Sequence, residues 1–335
     1  MILVTGGTGL VGAHLLYKLV SNNESVRAIY RTERKLENTK NVFLNYTKNY
    51  ASLFESIQWI KADILNIPEL DEALTDIDYV YHCAAFVSFE PNKYHILRRT
   101  NIEGTANIVN LCIAKHIKKL CYVSSIAAIG NPIKQEPITE NTVWNPEEDH
   151  SVYGITKYGA ELEVWRGTQE GLDAVIVNPG VILGAGIWHY GSGYIFKKIH
   201  KGITFYTSGK IGLISVKDVV NIMVLLLKSN VKNERFILIA ENWQYKSFLQ
   251  FAAKKLKVKP PSKLAKPWLL GIAWRLDWLQ QKILGKRRSI TKQLAHSLSK
   301  NNTYENIKIL ETLDYKFEPI DRAVEDIATL YLKQV

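Results

Sequence analysis

The chain opens Met1-Ile-Leu-Val-Thr-Gly-Gly-Thr-Gly-Leu-Val-Gly12, and the reading of this stretch decides the fold. Met1–Thr5 is an apolar run too short for a helix and closed by glycine, as a buried strand is. Gly6, Gly9 and Gly12 follow at three-residue spacing, and Leu10, Val11, Leu15, Leu16 and Leu19 then recur with helical period. Strand, glycine turn and helix together turn unpaired backbone N–H groups toward an anion. The glycines permit a tight turn, close approach of a pyrophosphate, and packing of helix on strand. A glycine trio alone would also suit any tight strand–helix turn. Its place between strand and helix is what points to a nucleotide.

The rest of the chain is compatible with a soluble α/β protein. Its 335 residues, 47% hydrophobic and 22% charged, can bury a large core, as one domain or as a domain with a smaller lobe. No secretory leader is read at the start and no apolar run reaches membrane-spanning length, so a cytoplasmic protein is expected. Cys83, Cys112 and Cys121 lack C-x-x-C spacing and sit among apolar residues, as reduced buried thiols do, and no metal site is expected. The net charge of +11 is concentrated: Lys254–Lys300 holds 13 Lys and Arg against one acid, Asp277, and the remainder is close to neutral. No groove-reading module accompanies that charge, which argues against nucleic acid.

Strand-like runs alternate with helical ones as far as Gly180. Val26–Tyr30 is the second strand, Gln58–Ala62 the third, Tyr79–Ala85 the fourth and Leu120–Ser124 the fifth, with Ala174–Val177 closing the series at Asn178-Pro179-Gly180. Thr32–Ser56 reads as a polar connector with a helix near 50–57, Pro68–Leu74 as the start of a helix, and Asn101–His116 as a strong amphipathic helix. A proline-containing acidic loop, 131–150, precedes a long helix beginning near Tyr153. This alternation predicts a doubly wound parallel sheet of Rossmann type, with ligands beyond the carboxyl ends of the strands. Residues 1–180 would form the dinucleotide-binding domain, joined by 211–240. Most of 181–335 would form a smaller substrate lobe, with Gly184–Gly193 as a mobile loop over the site. His82, inside the fourth strand, reads as a core histidine.

Two features carry chemistry. The second strand ends Ile29-Tyr30-Arg31 without an acid, and a basic residue there suits the 2′-phosphate of NADP; as a solvated loop charge Arg31 would say nothing. Tyr153 and Lys157 lie four apart on one helix, so phenol and ammonium share a face. A cation beside it would bring the phenol down from its ordinary pKa near 10 and make it a general acid/base. Ser125, ending the fifth strand, could bind the same substrate oxygen, and a carbonyl held by both could exchange hydride with a nicotinamide.

With these residues in hand, the chain resembles the extended short-chain dehydrogenase/reductase family, within the NAD-dependent epimerase/dehydratase superfamily, nearly end to end. The motifs are Thr5-Gly6-Gly7-Thr8-Gly9-Leu10-Val11-Gly12, Asp63-Ile64, Cys83-Ala84-Ala85, Asn101 in Thr-Asn-Ile-Glu-Gly-Thr, Tyr122-Val123-Ser124-Ser125, Tyr153-x-x-x-Lys157, Pro179-Gly180, and Ser215 to Val219. The resemblance implies Tyr153 as acid/base, Lys157 as its partner and ribose ligand, and Ser125 as the carbonyl-orienting hydroxyl. It places Asp63 and Ile64 at the adenine, Ala84 and Ala85 at the middle of the cofactor, and Pro179, Gly180 and Val181 at the nicotinamide. Asn101 is expected to stabilise a helix end, and the helices near Asn101 and Tyr153 to form a homodimer.

The second strand looks like that of NADPH-using dihydroflavonol reductases, and the tail like that of 3β-hydroxysteroid dehydrogenase-like members. An NADP(H)-dependent oxidoreductase acting on a small or lipophilic substrate is therefore expected, NAD being the other candidate cofactor. The rival is a nucleotide-sugar epimerase or dehydratase. Against it, Ser125-Ile126-Ala127 replaces the usual Thr-Asp-Glu of the dehydratases, and Val181 stands where many sugar-nucleotide enzymes carry Asn. A non-catalytic cofactor-binding protein would not need Ser125, Tyr153 and Lys157 together. The basic segment with Trp268, Trp274 and Trp278 leaves three readings open: a helix packed on the small lobe, a lid over an apolar substrate, or peripheral attachment to anionic lipid through 268–288.

Overall fold

The computed structural model describes residues 1–132, 136–284 and 291–334. Seven strands make one parallel sheet: β1 (Ile2–Thr5), β2 (Val26–Tyr30), β3 (Gln58–Lys61), β4 (Tyr79–His82), β5 (Lys119–Val123), β6 (Ala174–Pro179) and, after three strands of the second lobe, β10 (Glu234–Leu238). Their spatial order is β10-β6-β5-β4-β1-β2-β3, and every pairing is parallel. The order reverses on either side of β1, so the loops after β1 and β4 diverge and leave a crevice between them.

Strand periodicity divides the core between the two faces. Ile2, Val4, Val26, Ala28, Tyr81, Cys121, Val175 and Val177 pack with the helices Leu10–Ser21 and Val216–Lys228. Their neighbours Leu3, Ile29, Val80, Leu120, Tyr122, Ala174 and Ile176 pack with the helices Ile67–Ala73, Gly104–Ala114 and Val152–Gln169 on the other side. A parallel sheet covered on both faces needs apolar residues at both parities, which is why these strands are continuous apolar runs.

The second lobe has its own sheet, β11-β9-β7, made of β7 (Val181–Leu183), β9 (Lys210–Ser215) and β11 (Glu241–Gln244), and a two-stranded ribbon of β8 (Phe205–Tyr206) with β12 (Lys263–Leu264). Helices Gly191–His200, Tyr245–Lys255 and Ile320–Gln334 cover the three-stranded sheet through Phe196, Phe248, Ala252, Val324 and Ile327. Residues 211–240 divide between the lobes: Ile211–Ser215 lies in the second sheet, whereas Val216–Lys228 and β10 complete the first. Within the polar connector 32–56 there is an additional helix, Leu36–Leu44, seated by Val42 and Phe43. Cys112 and Cys121 are buried, Cys83 is half-buried, and all three are free thiols.

The 184–193 segment is tied down rather than free over the site. The carbonyl of Ala185 accepts from His14 Nε2 at 3.1 Å, and the Tyr190 hydroxyl donates to the carbonyl of Thr8 at 3.2 Å. Asn38 donates to that Tyr190 oxygen at 3.0 Å, and Ile187 is buried against Ala13 and Val42. The expected mobile loop is thus a strap fastened to the glycine turn.

Candidate active site

The glycine turn is built as an anion cradle. Gly6 has φ +69°, and a Cβ there would lie 2.6 Å from the backbone N of Ala84, so only glycine fits where the chain leaves β1 against the end of β4, at the base of the crevice. The Leu10–Ser21 helix begins after Gly9 with no side chain capping its first amides. Those N–H groups and the helix dipole fit a pyrophosphate. Thr5, behind the turn, accepts from Ala84 N at 3.2 Å and so fastens the Ala84–Ala85 loop to β1. Ala84 is half-buried and Ala85 exposed, both at the crevice.

At the far end of the crevice, Arg31 follows β2 and Asp63 follows β3. Arg31 Nη1 and Asp63 Oδ2 are 3.8 Å apart, an open pair with both side chains well exposed. Asp63 also caps its own loop by accepting from Leu65 N at 3.0 Å. Ile64 is placed differently from its neighbour: its side chain is buried against Gly104, and its carbonyl accepts from Asn107.

The chemical residues converge where β5 and β6 end. Ser151 Oγ accepts from Gly154 N at 3.0 Å and starts the Val152–Gln169 helix. A Cβ on Gly154 would lie 2.8 Å from the carbonyl of Ala127, so this helix start presses on the turn that follows Ser125. The Ser125 hydroxyl and the half-buried Tyr153 phenol are thereby brought to the same strand ends. Burial pushes the Tyr153 phenol up to about 12, and the nearby Ser125 hydroxyl opposes that rise. Phe89 stands edge-on to the Tyr153 ring, with centroids 5.6 Å apart. Pro179 ends β6, Gly180 follows it and Val181 begins β7.

Lys157 departs from expectation. Its ammonium is buried, donating to Tyr122 Oη at 2.6 Å and to the carbonyl of Val123 at 2.8 Å, and it lies 4.4 Å from the Tyr122 ring centroid. Burial brings its pKa down to about 7, against the attraction of Glu161. The predicted lowering of the Tyr153 pKa by Lys157 is therefore not what this arrangement gives: desolvation of both groups dominates, and the ammonium is engaged with β5. An ammonium has three donors, and two are committed here.

Several supporting residues carry no motif that the sequence reading used. Glu161 continues the i, i+4 row after Tyr153 and Lys157. It is buried, pairs with Arg235 at 3.0 Å, and accepts from Ser124 Oγ at 2.6 Å and Asn178 Nδ2 at 2.8 Å. Asn178 in turn donates to the carbonyl of Ser125 at 3.0 Å, so this ion pair fixes the serine through β6. His82 Nδ1 and Thr5 Oγ1 are 2.7 Å apart, and its Nε2 is 2.9 Å from Thr105 Oγ1, which donates to the carbonyl of Asn101. Thr105 also meets Tyr122, so buried hydroxyls and an imidazole connect the glycine turn to Lys157. The row spacing was the available signal for Glu161; nothing local marks the others.

Asn101 sits in a π-helical turn, Arg98–Glu103, not at a helix end. Its amide accepts from Phe86 N at 2.7 Å, donates to Phe86 O at 3.0 Å, and donates to Thr156 Oγ1 at 3.1 Å. It thus joins the loop after β4 to the helix carrying Tyr153. A π-turn is one way a helix can aim such a side chain sideways. Among the described residues, no group of three or more His, Cys, Asp or Glu could hold a metal ion.

A doubly wound sheet with an anion cradle at its switch point and Ser, Tyr and Lys gathered at its strand ends defines a dinucleotide-dependent enzyme class. The pattern of the NAD dependent epimerase/dehydratase family matches residues 2–240, and the chain belongs to that family, part of the extended short-chain dehydrogenase/reductase superfamily. It is 27% identical to a putative dihydroflavonol 4-reductase of Synechocystis sp., over 96% of this chain and 92% of the relative. It is likewise 27% identical to sterol demethylase protein B of Methylococcus capsulatus, over 85% and 84%. Among solved structures it is similar to gox2253, with TM-score 0.82, 25% identity, and coverage of 100% and 98%. A UDP-glucose 4-epimerase of Thermotoga maritima shares the fold, with TM-score 0.73 at 18% identity and 99% coverage of each chain. Reductases and nucleotide-sugar epimerases therefore both stand among its relatives and neighbours.

Proposed function

We propose that this protein is an NADP(H)-dependent oxidoreductase that interconverts a carbonyl and an alcohol on a small or lipophilic organic substrate. The observation that carries this reading is the convergence of the Ser125 hydroxyl and the Tyr153 phenol at the strand ends, with Lys157 one turn further on the same helix. The cradle of Gly6 to Gly12 would hold the pyrophosphate, with Thr8, Leu10 and Val11 lining it. Arg31 and Asp63 would face the adenosine end, the Ile64 backbone the adenine, Ala84 and Ala85 the centre, and Pro179 to Val181 the nicotinamide. The nicotinamide, when bound, supplies or takes up the hydride.

The remaining steps fall to the chain. In the reducing direction, Ser125 donates a hydrogen bond to the carbonyl oxygen and Tyr153 Oη gives that oxygen its proton; in oxidation Tyr153 takes the proton back. A phenol held at about 12 is protonated at neutral pH, the form in which it can give its proton to the carbonyl oxygen. The third N–H of Lys157 is available to a ribose hydroxyl. Phe89, packed against the Tyr153 ring, gives that side of the site an apolar wall, in keeping with the reductase and sterol-related names among the relatives. Ile126 and Ala127 offer no acid for eliminating water, which weighs against a dehydratase.

Tyr153→Phe tests the reading. We expect turnover of NADPH with carbonyl substrates to fall by about 10²–10⁴-fold while NADPH binding, followed by its fluorescence, is kept. Activity close to wild type would overturn the assignment. Interconversion of nucleotide sugars with no net cofactor consumption would favour the epimerase instead.

A further inference from the structure

The Pro267–Leu284 helix has two unlike faces. Leu269, Leu270 and Trp274 turn inward onto Ala265 and Ala295, a small cluster beside the main cores. On the outward side Trp268 is 63% exposed, Ile272 46%, Leu276 55%, Leu279 44% and Ile283 69%. At 3.6 residues per turn these five project within an arc of roughly 80°. This is one continuous apolar ridge, where a solvated helix would carry charge. Leu264 on β12, just ahead of the helix, is also exposed.

Cations flank the ridge. Arg275 lies over the Trp274 ring at 4.6 Å and Lys282 over the Trp278 ring at 4.8 Å, both on the same side of it. Long basic side chains lying along aromatic rings at the margin of an apolar face suit a boundary between hydrocarbon and anionic headgroups. Lys263 and Lys266 precede the helix, and the segment 254–300 holds 13 basic residues against one acid, Asp277. A segment that combines an exposed apolar ridge with the chain's excess positive charge fits an anionic, apolar partner. Lys286, Arg287 and Arg288 continue that charge in sequence but lie outside the described residues.

We propose that this helix is a docking element that lies in the plane of an anionic lipid bilayer, with the ridge Trp268–Ile272–Leu276–Leu279–Ile283 in the headgroup boundary and Arg275 and Lys282 at the phosphates. Among the described residues no helix is long and apolar enough to cross a membrane, so the contact is peripheral. The proposal concerns a surface remote in sequence from Ser125, Tyr153 and Lys157, and it stands whatever reaction they perform.

Flotation of the full chain with vesicles tests it, comparing phosphatidylcholine alone with phosphatidylcholine containing phosphatidylglycerol. Wild type should float with the anionic vesicles only, and less at high salt. A ridge variant, Trp268→Ser with Ile272→Ser and Leu276→Ser, should stay at the bottom. Because all three side chains are exposed, it should keep wild-type NADPH binding and circular dichroism. The charge variant Arg275→Glu with Lys282→Glu leaves the ridge intact and should weaken binding at least about fivefold per charge. No flotation of wild type, or equal flotation of all three proteins, would overturn the proposal. So would vesicle-independent self-association that the ridge variant abolishes, since a second copy would then cover the ridge. A ridge variant that floats normally but loses turnover would make the helix a lid.

Discussion

Arg31 decides the cofactor reading at the level of a single residue. Tyr30 pairs in register with Lys61, so Arg31 and Asp63 leave the sheet side by side, 3.8 Å apart and well exposed. An open pair of that kind contributes less than about 1 kcal/mol, so a phosphate dianion can take the guanidinium from it. Membership in an NAD-dependent family leaves the choice of NADPH over NADH to such local charge. We expect Arg31→Ala to weaken NADPH binding about tenfold, the cost of one charge-assisted hydrogen bond, and to leave NADH binding almost unchanged. Paired titrations of wild type and variant with both cofactors measure this. A preserved NADPH-to-NADH ratio would remove Arg31 from the site. The spacing of Tyr153 and Lys157 puts them on one face, and the helix does so. It could not tell that Lys157 is drawn under β5 to Tyr122 and Val123, because that depends on a strand more than thirty residues away.

Elements were legible in the sequence where one kind of burial dominates. The inner strands of the large sheet are buried on both faces, and their apolar runs mark them to within about three residues, the fourth ending at His82 rather than Ala85. β7 and β11 are short strands of mostly half-buried residues, and the buried β9 is interrupted by Gly212 just after Gly209. Leu36–Leu44 hides in a polar stretch because Asn38 and Thr39 are among the side chains it buries. Ile320–Gln334 does carry the signal, with Ile320, Ala323, Val324, Ile327, Ala328 and Tyr331 at helical spacing.

The Val152–Gln169 helix serves two surfaces. Tyr153, Lys157 and Glu161 face the sheet ends, while Ile155 and Leu162 are 39% and 48% exposed on the outside. Beside Leu162 a hollow of about 390 Å³ is lined by Trp144, Tyr158 and Trp165. We propose that this face and Ile96 pair with a second copy to form a homodimer. Light scattering on the eluting protein should give a dimer for wild type and mostly monomer for Leu162→Asp, with NADPH binding kept. A monomeric wild type would rule the face out as a homodimer contact.

Acid stability is a property of the whole molecule, because groups in both lobes set it. His14, under the strap at Ala185, is brought to about 4, mainly by burial, with Lys217 adding to the fall. His82, between Thr5 and Thr105, is brought to about 3 by burial and by Lys157. The unfolded chain protonates both near pH 6.5, so the stability they contribute is complete above that and is lost as pH falls toward 4, at about 1.4 kcal/mol per unit for each. Asp218 works in the opposite sense: burial raises it to about 6, so it adds stability as pH falls from there toward its unfolded value. Two depressed histidines outweigh one raised carboxyl. Above neutrality Lys157, at about 7, keeps stability rising, until the unfolded thiols ionise near pH 8.5 while burial holds those of Cys83, Cys112 and Cys121 protonated. Urea unfolding from pH 4 to 10 should therefore show a maximum near pH 8 and a steep acid limb between about 6.5 and 4. His82→Gln, which keeps a polar partner for the threonines, should make that limb shallower. An unchanged limb in the variant would mean that the proton uptake driving acid unfolding lies at other groups than this histidine.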